Sequence, residues 1–228
     1  MRPSIFVLFY TPNEVLETAS ADFIFIQTCN EPHDYPSKKL NDMKVCIDPG
    51  HGMSNRAKNV FDPGAVHLEG EFLHREADIA LKYGLTLKDV LRARQVEIFM
   101  SRDDHEDHAP VGTRARNAKS AGCNVLVSIH LNDFDDDKAN GFEVLFRDAD
   151  DRLLAEKLQT ALLKVTKLKD RKIKERPELA VLRFQGTAVL IELGFIANDK
   201  DRETLLNPMI REQVCVAIAD VLQEHFPN

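Results

Sequence analysis

From Lys44 onward, short apolar runs alternate with longer stretches in which apolar positions recur every three or four residues. The short runs lie at 45–47, 96–100, 125–129, 142–146 and 188–191. They are apolar at consecutive positions rather than at every second one, which is the mark of strands covered on both faces. The longer stretches predict helices over about 72–93, 112–121, 150–165 and 206–224. In the first, Leu73, Ala77, Ala80, Gly84, Leu87 and Leu91 fall at helical spacing; in the last, Ile210, Val214, Ile218, Val221 and Leu222 do so. Buried strands alternating with amphipathic helices predict an α/β, three-layer sandwich with a mostly parallel twisted sheet flanked by helices.

Residues 1–43 break this pattern. Two apolar patches, 5–10 and 23–26, lead into TCNEPHDYPSKKLND, a polar stretch with two prolines. We read 1–43 as an extension and linker of unassigned role, and 44–228 as one domain. The patch at 5–10 is short for a signal-peptide core and is followed at once by Thr11, Pro12, Asn13 and Glu14. The expectation is therefore a chain without a convincing signal peptide, whose export route the sequence leaves open. No apolar run nears the roughly 20 residues that span a bilayer.

Composition changes the picture in two places. The formal charge is −7, with both signs interspersed, which argues against a nucleic-acid binder. Four cysteines, Cys29, Cys46, Cys123 and Cys215, form no C-x-x-C pair, so neither a disulfide framework nor a zinc–cysteine site is expected.

Three polar residues stand where buried strands end. His51 follows VCIDPG, His130 ends NVLVSIH and Glu192 ends AVLIE. In open α/β sheets, ligands bind at the carboxyl ends of the strands. Two imidazoles and a carboxylate gathered there are a donor set for zinc with an open position. An unpaired carboxylate in an apolar strand costs several kcal/mol, so Glu192 in particular needs a partner. Glu76, at the start of the first long helix, is a further candidate, although an acid in a first helical turn also stabilises the helix by its charge alone. Asp48 reads as a turn residue or as an acceptor for an imidazole N–H. Each polar residue taken singly also has a structural reading: a surface histidine after a turn, or a member of an internal hydrogen-bond network.

The ordered segments CIDPGHG, READIALKYGLTLKDVL, SRDD, NVLVSIHLN, NGFEVLF, LAVLR and AVLIELGFIAND resemble the landmarks of the zinc-dependent N-acetylmuramoyl-L-alanine amidases of type 3, which occur among cell-wall hydrolases and phage endolysins. The resemblance covers about 44–226. It implies His51, Glu76 and His130 as ligands of one Zn²⁺ per chain, and Glu192 as the catalytic carboxylate. It further implies Arg114 and Arg183 as candidate contacts to substrate. Glu69, Glu71, His67 and His74 lie near enough to Glu76 to compete for the third ligand position. One departure is Ala80, where the family usually has asparagine. The loop after His130, LNDFDDDKAN, is too short for the inhibitory helix of some members, which implies an open site.

The implied reaction is hydrolysis of the amide joining the lactyl group of N-acetylmuramic acid to L-alanine. The implied partner is peptidoglycan, with no nucleic acid and an activator protein unassigned, and the implied place of action is the cell wall, in a bacterium's own wall or in phage release. Two alternatives stay open: another zinc-dependent cell-wall hydrolase, a peptidase or deacetylase, and a non-catalytic wall-binding module on the same fold.

Overall fold

The structure, a computed structural model, describes residues 43–134 and 138–227; the extension and linker read over 1–43 lies outside the described residues except for Met43, which is buried in the core of the domain. In chain order the elements are β1 (Lys44–Pro49), β2 (Val66–Glu69), β3 (Phe72–Arg75), α1 (Glu76–Ala93), β4 (Glu97–Met100), α2 (Val111–Ser120), β5 (Val125–Asn132), β6 (Glu143–Phe146), α3 (Ala149–Thr166), β7 (Lys174–Glu175), β8 (Thr187–Phe195), α4 (Asp199–Leu206) and α5 (Pro208–His225). A short 3₁₀ turn, Val181–Arg183, precedes β8.

Six strands form one sheet in the order β4-β1-β5-β8-β6-β7. The first four are mutually parallel; β6 runs antiparallel to β8 and carries β7 parallel beside it. The consecutive apolar residues of the strands divide between two cores. Val45, Ile47, Val127, Ile129, Val189 and Ile191 face α1, α3 and α5. Their neighbours Cys46, Leu126, Ala188 and Leu190 point the other way, toward α2 and the 3₁₀ turn. This is the predicted three-layer arrangement, and it explains why the strands read as unbroken apolar runs.

Two expectations are corrected. The first helix starts at Glu76, not at 72, because residues 72–75 pair with 66–69 as an antiparallel hairpin. The turn between them uses Gly70 at a positive φ of 60°, and Arg75 is still extended. Leu73 fits the helical phase in sequence, yet it is half exposed on the hairpin rather than part of the buried face of α1. The predicted helix 206–224 is present as α5, with its start moved to Pro208 because Leu206 closes a separate α4. Asn207 divides them: it caps α5 by accepting from the Met209 N–H, and Pro208 opens α5 where its missing donor does no harm.

Gly84 brings α1 close to the sheet. A Cβ there would stand 2.6 Å from Pro49 Cγ, at the end of β1. The helix therefore lies directly against the strand end from which the His51 loop departs. Gly84→Ala sets two effects against each other: about 1 kcal/mol gained in helix propensity and about 1–3 kcal/mol of overpacking. We expect overpacking to win, with a net loss of about 1 kcal/mol in urea denaturation. A gain in stability would show that the contact yields.

Candidate metal centre

The loop leaving β1 is held from below. Asp48 is buried and accepts from Arg114 Nη1 (2.9 Å), Ser101 Oγ (2.5 Å) and Ser128 Oγ (2.7 Å). Burial alone would raise its pKa, but the Arg114 guanidinium and the two hydroxyls outweigh that and hold it below the usual carboxylate range. Arg114 also donates to the carbonyls of Pro49, His51 and Ala109. A second buried guanidinium, Arg102, donates to Pro49 O, Gly50 O and Ala77 O. Two arginines thus occupy the main-chain oxygens of 49–51 and join them to α1. Within that grip His51 adopts a left-handed φ of 61°, a conformation uncommon for a residue with a Cβ. Gly50 permits close approach, since a Cβ there would collide with the His130 ring.

His51 is oriented from its far side. Its Nδ1 stands 2.9 Å from Asp62 Oδ2, and Asp62 is itself fixed by the Ser54 hydroxyl and the Gly64 N–H. A proton on Nδ1 leaves the Nε2 lone pair directed at the centre. That Nε2 is 3.0 Å from Glu76 Oε1, and His130 Nδ1 is 2.8 Å from the same oxygen. Glu76 also accepts from two main-chain amides, Leu131 N–H on Oε1 and Ala65 N–H on Oε2, both at 2.9 Å. Gly64 makes room: a Cβ there would lie 2.6 Å from both Glu76 Oε2 and the His51 ring.

The electrostatics favour a cation at this point. Burial works against charge on His51, but Glu76 and Asp62 outweigh it and push its pKa up to about 9. Burial would raise Glu76, but its hydrogen bonds to His130 and His51 hold it far below the ordinary range. The three donor atoms all lie within 4.8 Å of one another. A tetrahedral ion with bonds of about 2.0–2.1 Å would set its donors roughly 3.3 Å apart, so this set fits a divalent metal after a slight spread. Two nitrogens and one carboxylate oxygen leave a fourth position open.

Glu192 stands beside this cluster. It is the register partner of His130 on β5 and of Glu143 on β6. Its Oε2 is buried and has no hydrogen-bond partner among the described residues. Burial pushes its pKa up to about 7, with Glu76 and Glu143 adding to the effect and His130 opposing it. A cavity of about 190 Å³ opens next to His51 and His130, walled on its apolar side by Val111, Leu179, Val181 and Leu190.

The structure brings His51, Glu76, His130 and Glu192 together. The rival donors lie elsewhere: Glu69 is bound to Arg202 and His74, Glu71 is exposed at the hairpin turn, and His67 and His74 are register partners on the hairpin. Arg114, a candidate substrate contact, has its guanidinium buried against Asp48 and main-chain carbonyls, and it also lines the cavity beside His51 and His130. Arg183 is exposed and reaches the carbonyl of Glu178, while its neighbours Leu179, Ala180 and Val181 line the cavity. Asp48 belongs to β1 and serves Arg114; the imidazole acceptor is Asp62. Sequence reading missed Asp62 and Arg102. The signals available were the second Asp-Pro-Gly, at 62–64, and an arginine directly after an apolar strand. The loop after His130 includes 135–137, outside the described residues.

Residues 45–224 match the N-acetylmuramoyl-L-alanine amidase family. The chain is similar to the probable cell wall amidase LytH of Staphylococcus epidermidis, at 27% identity over 192 residues, covering 84% of this chain and 61% of that protein. It is likewise similar to LytH of Staphylococcus aureus, at 28% over 188 residues, covering 82% and 60%. The chain thus spans about six-tenths of the length of the curated relatives it matches. Among solved structures, it resembles the catalytic domain of CwlV from Bacillus (Paenibacillus) polymyxa var. colistinus, with a TM-score of 0.71 and 27% identity over 80% of this chain and 97% of that one. It also resembles the N-acetylmuramoyl-L-alanine amidase from Clostridium difficile 630, with a TM-score of 0.71 and 29% identity over 81% and 97%.

Asp48→Asn would leave the Arg114 charge buried and should cost roughly 3 kcal/mol at pH 7 in urea denaturation. The folded carboxylate titrates below the unfolded value of about 3.9. The wild-type advantage is therefore complete above that pH and shrinks as pH falls through the folded value. An advantage that grows on acidification would contradict the pairing.

Proposed function

We propose, because this chain belongs to the N-acetylmuramoyl-L-alanine amidase family, that it hydrolyses the amide between the lactyl group of N-acetylmuramic acid and L-alanine in peptidoglycan. The observation that carries the reading is the convergence of His51, Glu76 and His130 on one point beside Glu192, whose buried Oε2 has no hydrogen-bond partner among the described residues. We assign zinc to that point, because two imidazoles, a carboxylate and an open position are its usual catalytic surroundings. Zinc held there supplies a Lewis acid that polarises the scissile carbonyl and brings the pKa of a water down to about 7.

The chain's own residues do the rest. Asp62 keeps the His51 ring turned with Nε2 inward. The amides of Leu131 and Ala65 hold the Glu76 carboxylate in place before any ligand arrives. Glu192 accepts the proton of the attacking water and returns it to the nitrogen of the departing peptide. Its burial removes competing hydrogen bonds and raises its affinity for that proton. Val111, Leu179, Val181 and Leu190 give the adjoining cavity an apolar wall. The peptidoglycan substrate puts the work at the cell wall. Among the described residues, no helix is long and apolar enough to cross a membrane.

Digestion of purified peptidoglycan, followed by mass analysis of the fragments, tests the bond cleaved. Whole stem peptides released from intact glycan, and lost on addition of a chelator, are the expected result; cut peptides or deacetylated sugars would replace this reading with a peptidase or deacetylase. Glu192→Gln should keep its metal and lose roughly a hundredfold or more in turnover. His130→Ala should lose both, by metal analysis and activity assay. Full turnover by the Glu192 variant would remove that residue from the mechanism.

A further inference from the structure

His130, Glu192 and Glu143 are consecutive register partners across β5, β8 and β6, so they form one row along the strand ends on the same face of the sheet. Glu143, the outer member, is buried and takes two cations on a single oxygen. Its Oε2 accepts from Arg171 Nε at 2.8 Å and from Lys174 Nζ at 2.5 Å. The Arg171 charge is also felt by the buried Asp201 carboxylate, so the two cations answer more than one buried acid. The Arg171 guanidinium carbon also lies over the Phe195 ring, 4.8 Å from its centroid. With Nε directed at Glu143 and one face on Phe195, its two terminal nitrogens have no hydrogen-bond partner among the described residues, and the side chain is only partly covered. That is an oriented fork suited to a carboxylate.

We propose that Arg171, supported by Lys174, is a specificity-determining residue that binds a carboxylate of the stem peptide. The proposal rests on the amidase reading above. Adjacent strands lie about 4.8 Å apart, so Glu143 stands roughly 10 Å from His130, with Glu192 between them. Glu192 serves the departing nitrogen, and that nitrogen belongs to the peptide rather than the glycan. The peptide half of the substrate therefore runs from Glu192 toward β6 and β7, where the Arg171 guanidinium lies. An extended chain advances about 3.3 Å per residue, so the fork meets a group within about three residues of the cleaved bond.

The test uses two synthetic muropeptides that differ only in whether the stem carboxylate nearest the scissile amide is free or amidated. Wild-type zinc-loaded protein is expected to show a KM about tenfold lower for the free acid, as a charge-assisted hydrogen bond implies. In Arg171→Gln the ratio of the two KM values should fall to about one. Arg171→Lys, which retains charge without the fork, should recover part of it. Because the readout is a ratio within one preparation, a loss of folded protein does not move it. Should Arg171→Gln not fold, Lys174→Gln carries the same test, since Glu143 then takes up the remaining positive charge and the ratio should drop severalfold. Equal KM values in the wild type, or an unchanged ratio in the variants, would overturn the proposal alone. Hydrolysis of neither compound by the wild type would overturn the amidase reading and this proposal with it.

Discussion

The site depends on one carboxylate. Glu76 accepts main-chain N–H groups from the end of β5 and from the loop before the hairpin, and it faces imidazoles from two further points of the chain. Its position is set by backbone amides rather than by the ligand it would hold. Such preorganisation keeps the donors clustered against their mutual desolvation, which is the main obstacle to collecting polar groups inside a protein. The fold supplies the means cheaply in structural terms: a helix begins exactly where a parallel sheet presents its strand ends, so one residue at the helix start reaches several loops at once.

Beside that carboxylate lies a layer of buried guanidinium groups that holds the loop after β1. Arg102 and Arg114 take up the carbonyls of Pro49, the last residue of β1, and of Gly50 and His51 just beyond it. Unsatisfied buried carbonyls would destabilise the loop; planar guanidinium groups satisfy several of them from one point. Asp48, a residue of the strand itself, compensates the Arg114 charge. The left-handed His51 is tolerated because this network leaves the loop no alternative path.

Much of the architecture was legible because it is written in period and polarity. Five apolar runs became five strands of the main sheet, and His130 and Glu192 stood out as polar residues terminating strands that must be buried. What escaped reading has a common physical cause: it is decided by tertiary contacts. Leu73 lies in phase with α1 but belongs to a hairpin, since pairing with Leu68 fixes its backbone. Arg114 looks the same on a helix whether it faces water or the core, and only the position of Asp48 assigns it inward. Asp62 gained its function from a turn that folds back over His51, a proximity that spacing along the chain does not reveal. β7, with two residues, is too short to carry a period at all.

His51, Glu76 and His130 are far apart in sequence and meet only when β1, α1 and β5 have all assembled. No local stretch of unfolded chain offers the three donors together. An ion bound at this point therefore discriminates against every partly assembled species and favours the finished one by mass action. The centre would double as a clasp on topology: loading would report that the long-range pairings, which are the slowest to form, have been completed, and a chain without an ion there would be more open to proteolysis.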